Sequence, residues 1–97
     1  MISVVIPASN DSEIIGKVIG ELIIDLNKNG NDYEIIIADD GSKDDTKIVA
    51  ESAGATVISH PYNIGNGAAV KTGVRNAAGD IIAVSYTHLT LPTICSV

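Results

Sequence analysis

The fold of this chain is decided by the stretch Tyr33-Glu34-Ile35-Ile36-Ile37-Ala38-Asp39-Asp40-Gly41-Ser42. Its first six residues are mostly apolar with β-branched isoleucines at the centre, and the next four are acids, glycine and serine, which end strands. A short apolar run bounded in this way predicts a strand buried on both faces, as in parallel sheets. Residues 2–6 form a second run of this kind, which Pro7 is expected to end. Weaker runs at residues 55–59 and 80–84 complete four predicted strands.

Helical patterns separate these runs. The first helix carries a broad stripe of isoleucine, valine and leucine; Asn10 is its expected N-cap, and Gly30 lies at its expected end. The second is predicted to begin at Ser42 and to stop at Gly54, and the third spans about residues 67–78. This alternation indicates right-handed βαβ crossovers, so we predict an α/β domain with a mainly parallel sheet and helices on both faces.

Composition limits the classes of function. The chain has 97 residues, of which 45% are hydrophobic and 19% charged, and this suits one folded unit near the lower end of domain size. A net charge of −6 with only 6 Lys and Arg argues against nucleic acid or an anionic membrane as a partner. The single cysteine, Cys95, excludes an internal disulfide and a cysteine-built zinc site, which fits a cytoplasmic protein. Neither a signal-peptide pattern nor an apolar run long enough to span a bilayer is found.

Polar loops follow the first three predicted strands, and in parallel sheets the carboxyl ends of strands share the edge where ligands bind. After the second strand, Asp39 and Asp40 offer two carboxylates. One can accept hydrogen bonds from a nucleobase or a ribose hydroxyl while backbone amides hold the other; alternatively, both only favour the start of the next helix through its dipole. Residues 63–67 carry two glycines before a helix, so their N–H groups form either an anion-binding nest or a plain turn.

Four motifs, taken in order, resemble the N-terminal half of the family 2 inverting glycosyltransferases with the A-type fold, most closely the polyprenyl-phosphate and dolichol-phosphate mannose synthases. The motifs fall within the first 84 or so residues and read Val4-Val5-Ile6-Pro7-Ala8-Ser9-Asn10-Asp11, Ile36-Ile37-Ala38-Asp39-Asp40-Gly41-Ser42-Lys43-Asp44, Asn63-Ile64-Gly65-Asn66-Gly67-Ala68-Ala69-Val70-Lys71-Thr72-Gly73 and Ala78-Gly79-Asp80. The resemblance implies a Rossmann-like nucleotide-binding half of a larger enzyme. It also implies a nucleoside-diphosphate-sugar donor, and an acceptor such as a polyprenyl phosphate or a glycan hydroxyl.

The resemblance further implies which residues hold the donor. They are expected at the strand ends and at the start of the third helix, namely Pro7, Ser9, Asp11, Ala38, Asp39, Asp40, Gly67 and Lys71. Members of the family usually carry an aromatic residue where Ser9 stands, whose stacking on a base is worth roughly 1–3 kcal/mol, and Glu where Asp11 stands. We expect no catalytic residue within this chain.

The metal-binding motif that the resemblance implies is replaced here. The family carries an Asp-x-Asp triplet after the strand of residues 80–84, and its carboxylates hold Mg²⁺ or Mn²⁺ against the donor diphosphate. In this chain the same position reads Tyr86-Thr87-His88. We therefore expect this chain to bind no metal and to be inactive alone, and its full-length parent to require Mg²⁺ or Mn²⁺.

A change of composition coincides with that replacement. Residues 85–97 have no acidic or basic side chain apart from His88, and we interpret them as a non-native or read-through tail behind an incomplete nucleotide-sugar-binding domain of residues 1–84. The alternative is a divergent edge strand over residues 86–91 that Pro92 ends.

Two other classes of function stay open. A metal-independent module would bind a nucleotide or a partner protein without any transfer. A nucleotidyltransferase also uses an α/β sheet, but residues 7–11 lack the glycine and arginine that its first loop requires. A cytoplasmic location is expected, and the sequence leaves open whether the parent associates with a membrane.

Overall fold

The computed structural model describes residues 1–30, 32–85 and 93–96. Its strands are β1 (Ile2–Ala8), β2 (Tyr33–Asp40), β3 (Thr56–His60), β4 (Ile81–Val84) and β5 (Thr93–Ser96), and its helices are α1 (Ser12–Lys28), α2 (Thr46–Ser52) and α3 (Asn66–Asn76). Across the described residues the strands form one sheet in the order β3-β2-β1-β4-β5.

The first four strands are parallel to their neighbours, which confirms the predicted α/β sheet. The fifth strand was not predicted. It runs antiparallel to β4, with Val84 opposite Thr93 and Ile81 opposite Ser96. The alternative edge strand over residues 86–91 lies outside the described residues.

Helices cover both faces of the sheet, as predicted. On one face Val4, Ile6 and Ile37 pack with Ile15 and Ile19 of α1 in the larger apolar cluster. On the other face Val5 and Val84 form a smaller cluster with Ile82 and with Val70 of α3. Because successive strand residues point to opposite faces, the continuous apolar runs serve both clusters at once.

Pro7 does not end the first strand, contrary to the prediction. β1 continues through Pro7 to Ala8, and Pro7 pairs with Ala38 of β2. In this strand the N–H of Ile2 points toward β2, whereas the carbonyl of Val5 accepts the N–H of Ser85 on the β4 side. Because the backbone N–H groups of a strand alternate between its two sides, the nitrogen of Pro7 points toward the β4 side. The pairing of β1 with β4 reaches only Val5 there. The missing N–H removes no bond from the ladder between β1 and β2.

The starts of α1 and α2 also differ from the predictions. Asn10 is not the cap of α1, because its backbone is left-handed with φ 53° and its Oδ1 accepts the N–H of Lys43 at 2.9 Å. α2 begins at Thr46 and not at Ser42. Ser42 instead accepts the N–H of Asn10 through its Oγ at 2.9 Å, so the polar residues predicted to start helices tie the two loops together.

Candidate functional site

The carboxyl ends of β1, β2 and β3 lie side by side at one edge of the sheet. The register pairs Ala8 with Asp39 and Asp40 with His60. The loops that follow these strands are residues 9–11, 41–45 and 61–65. We call these loops, together with the last residues of the three strands, the strand-end rim. These loops meet as the sequence predicted.

Asp40 is the most enclosed acid of the strand-end rim, with 2% of its surface exposed. Its Oδ1 accepts the N–H of Ile64 at 2.9 Å, and its Oδ2 accepts the N–H of Gly65 at 2.7 Å. Two backbone amides thus hold Asp40. These two amides of the predicted nest bind a carboxylate of the protein itself, which fixes the loop of residues 61–65 to the end of β2.

His60 extends this contact to α3. Its Nδ1 lies 2.8 Å from Oδ1 of Asp40, and its Nε2 lies 2.7 Å from Oγ1 of Thr72. With the proton on Nδ1, the ring donates to the carboxylate and accepts from the threonine hydroxyl. Burial alone would raise the pKa of Asp40, but the hydrogen bonds from His60, Ile64 and Gly65 and the electrostatic attraction of the His60 ring together outweigh it, so this pKa is lowered.

Asp39 points to the opposite face of the sheet from Asp40. Its Oδ1 accepts the N–H of Ser42 at 3.1 Å, and its Oδ2 accepts the hydroxyl of Ser59 at 3.4 Å. The N-cap position of α2 is occupied by Asp45. The hydrogen bonds that Asp39 and Asp40 accept come from residues outside α2, in the loops and in β3.

The start of α1 forms another acidic corner. Asp11 accepts the N–H of Ser9 through its Oδ2 at 3.2 Å, and its own N–H donates to Oγ1 of Thr46 at 2.9 Å. Asp44 is held by the hydroxyl and the N–H of Thr46 and by the N–H of Ser12. The hydrogen bond from Thr46, more than those from Ser12, lowers the pKa of Asp44 to about 2, although partial desolvation opposes it. A cleft of about 280 Å³ lies here, lined by Asn10, Asp11, Ser12, Glu13, Ile14 and Asp44.

The structure brings six of the eight predicted site residues to the rim, and these are Pro7, Ser9, Asp11, Ala38, Asp39 and Asp40. Pro7 and Ala38 are buried, so a ligand would meet them through the backbone. Gly67 and Lys71 lie at exposed positions of α3, beside the rim but without a described polar contact to it.

Sequence reasoning missed the residues that hold the rim together. His60, Thr72 and Thr46 each link elements that are 12 to 35 residues apart in the chain. No local pattern marks a histidine or threonine as such a link. For His60 the only signal in the sequence was its position directly after a predicted strand.

The acids and histidines of the described residues are too scattered to form a metal site. Within residues 1–30 and 32–85, no three His, Cys, Asp or Glu side chains are grouped so that they could hold an ion. Tyr86-Thr87-His88 falls outside the described part of the chain. The residues described here therefore do not fit a divalent cation. In the same part of the chain, every helix is too short or too polar to cross a bilayer.

The sequence of this chain is similar to those of known proteins. The family model described as glycosyl transferase family 2 matches residues 3–92. A glucosyl-3-phosphoglycerate synthase of Mycolicibacterium smegmatis is 39% identical over 98 residues, which cover 94% of this chain and 32% of the relative. A dolichyl-phosphate β-glucosyltransferase of Trichomonas vaginalis is 32% identical over 91 residues, or 84% of this chain and 28% of the relative.

Solved structures agree with these relatives. Glucosyl-3-phosphoglycerate synthase of Mycobacterium tuberculosis, crystallised with Mn²⁺, UDP-glucose and phosphoglyceric acid, superposes with a TM-score of 0.75 at 35% identity, over 90% of this chain and 33% of that one. Mannosyl-3-phosphoglycerate synthase of Rubrobacter xylanophilus gives a TM-score of 0.81 at 26% identity, over 90% and 30%. The chain thus spans about a third of the length of the relatives and structures that it matches.

Proposed function

Since this chain belongs to glycosyltransferase family 2, we propose that it is the donor-binding part of an inverting glycosyltransferase that uses a nucleoside-diphosphate sugar. In the full-length parent, an oxygen of the acceptor attacks the anomeric carbon, the bond from that carbon to the nucleoside diphosphate breaks, and the configuration inverts. The acceptor is a group such as a polyprenyl phosphate or a glycan hydroxyl. We place the parent in the cytoplasm, in reach of a membrane if the acceptor is a lipid.

The observation that carries this proposal is the meeting of three strand-end loops around Asp11, Asp39 and Asp40 at the carboxyl edge of a parallel sheet. That edge is where sheets of this type bind ligands. The similar structure that holds UDP-glucose supports a sugar nucleotide as the ligand.

Roles follow from the contacts of each residue. A carboxylate has about four acceptor positions, and Asp40 uses about three of them on Ile64, Gly65 and His60. We propose that Asp40 and Asp11 contact the base and the ribose, with Asp39 beside them. Ser9, together with the backbone of Pro7 and Ala38, forms the wall of the site, while Gly67 and Lys71 face the phosphates from α3.

Two further parts of the proposal concern residues after Val84. The parent supplies an acidic triplet for Mg²⁺ or Mn²⁺ at the position of Tyr86-Thr87-His88, and residues 85–97 are a non-native tail. Sequencing the source DNA across the codons for Val84 and Ser85 tests both. An Asp-x-Asp triplet in the true frame would support them, and a genuine stop codon after Val97 would refute them.

Calorimetric titration of the chain with UDP and with GDP, each with Mn²⁺ and with EDTA, tests donor binding. We expect one nucleotide to bind, and no release of sugar from the corresponding donor, because Tyr86-Thr87-His88 stands where the resemblance implies the metal motif. Turnover of donor by the purified chain would contradict the proposed inactivity. Binding of neither nucleotide would refute the donor site, and equal binding in EDTA would favour a metal-independent module.

A further inference from the structure

Tyr62 is an exposed aromatic residue on the strand-end rim. Its surface is 67% exposed, although it lies in the short loop of residues 61–65 between β3 and α3. The other tyrosine among the described residues, Tyr33, begins β2 at the opposite end of that strand. None of the contacts described above uses the ring of Tyr62.

The backbone that follows Tyr62 is held at two points. Following it in the chain, the N–H groups of Ile64 and Gly65 are bound by Asp40 at 2.9 and 2.7 Å. Asn63 donates through Nδ2 to Oγ of Ser9 at 3.2 Å, which ties the loop to the end of β1. A well-anchored backbone presents the ring without a large entropic cost for ordering the loop.

Gly41 brings the same backbone close to the end of β2. A Cβ at Gly41 would lie 2.9 Å from Cα of Tyr62 and 2.5 Å from the nitrogen of Asn63, so only glycine permits this approach. Its φ of 71° favours glycine for a second, independent reason. The backbone of Tyr62 consequently lies against Gly41, the residue that follows Asp39 and Asp40.

We propose that the ring of Tyr62 stacks on the nucleobase of the bound nucleoside diphosphate. This inference rests on the proposed function and names the surface that receives the base. The acids of the rim accept hydrogen bonds from the edge of a base or from a ribose, but they offer no apolar face. A tyrosine ring supplies that face, and stacking tolerates any base.

The test is a calorimetric titration of the whole chain and of Tyr62→Ala and Tyr62→Phe with UDP, GDP and inorganic pyrophosphate in the presence of Mn²⁺. Ile24→Ala is the matched control, because Ile24 is 60% exposed but lies in the second half of α1. We expect Tyr62→Ala to lose roughly five- to a hundredfold in affinity for the nucleotide. Tyr62→Phe and Ile24→Ala should bind the nucleotide as the unsubstituted 97-residue chain does. The affinity for pyrophosphate, which has no base, should be unchanged by Tyr62→Ala.

If the affinity of Tyr62→Ala for the nucleotide stays within twofold of that of the unsubstituted chain, the inference is overturned and the proposed function still stands. An equal loss for pyrophosphate would also overturn it, because the ring would then be shaping the phosphate site. If the unsubstituted chain binds neither nucleotide, the proposed function and the stacking role fail together. Far-ultraviolet circular dichroism of Tyr62→Ala confirms that the fold is intact.

Discussion

Asp40 shows at the level of one residue how the rim depends on charge. Replacement by Asn keeps the shape but removes the charge and turns one acceptor oxygen into a donor, which then opposes the N–H of Ile64 or Gly65. We expect Asp40→Asn to lower the free energy of unfolding by about 2–3 kcal/mol, measured by urea denaturation. The control is Asp80→Asn, whose carboxylate is 93% exposed and lies 3.6 Å from the N-terminal ammonium, so its loss should cost less than about 1 kcal/mol. Equal losses in the two variants would contradict this role of Asp40.

Asp44 makes stability depend on pH. Its folded pKa of about 2 lies below the ordinary 3.8, so the folded state binds fewer protons than the unfolded state between these values. The lowered pKa of Asp40 acts in the same direction. The stabilisation is complete above about pH 4 and is lost as the pH falls toward 2. Urea titrations across this window should show a falling free energy of unfolding, with a shallower fall in Asp44→Asn. Parallel curves for the two proteins would contradict this prediction.

The sequence located the acids of the rim but not their partners. Asp39 and Asp40 follow an apolar run, and that local pattern is enough to place them at a strand end. The partners of Asp40 are 20 to 25 residues away, and a hydrogen bond across that distance depends on the register of β2 with β3. No pattern of residues within one short segment of the sequence specifies the register between two strands.

Among the elements, α3 depends on a glycine at its contact with the sheet. Gly73 is buried, and a Cβ there would collide with Cγ1 of Val5. We expect Gly73→Ala to lower the free energy of unfolding by about 1–3 kcal/mol through overpacking. Gly20→Ala is the matched control inside α1, where no atom lies within 4 Å of the added Cβ. It should raise the free energy of unfolding by about 0.5–1 kcal/mol, because alanine favours the helix. Changes of the same sign in the two variants would refute the packing argument.

Element types were predictable and element boundaries were not. The apolar runs and the helical stripe gave four parallel strands and three helices because those patterns arise from burial on known faces. The start of α2 was predicted four residues early, since Ser42 is a good cap in isolation. In the folded chain its hydroxyl accepts the N–H of Asn10, and this tertiary bond overrides the local preference.

In the whole molecule, the last strand, β5, covers the outer edge of the sheet. β5 pairs with the outer edge of β4 over four residues, from Ile81 opposite Ser96 to Val84 opposite Thr93. Without it, β4 becomes an edge strand with unpaired N–H and carbonyl groups, which favours pairing between molecules. The parallel direction of the inner strands was predictable from the βαβ pattern. The outer strand β5 was not, because residues 93–96 lie beyond the four family motifs, the last of which ends at Asp80.

Truncation after Ser85 tests the contribution of that segment to the whole fold. Loss of the ladder between β4 and β5 should lower the free energy of unfolding by about 2 kcal/mol or more, at about 1 kcal/mol for each hydrogen bond lost. It should also increase the apparent mass in light scattering as the protein concentration rises, because exposed strand edges associate. Urea denaturation at two protein concentrations separates these effects, since self-association makes the midpoint depend on concentration and a lost ladder does not. A truncated chain that is as stable and as monomeric as the 97-residue chain would contradict the structural role of β5. That result would also strengthen the proposal that residues 85–97 are foreign to the domain.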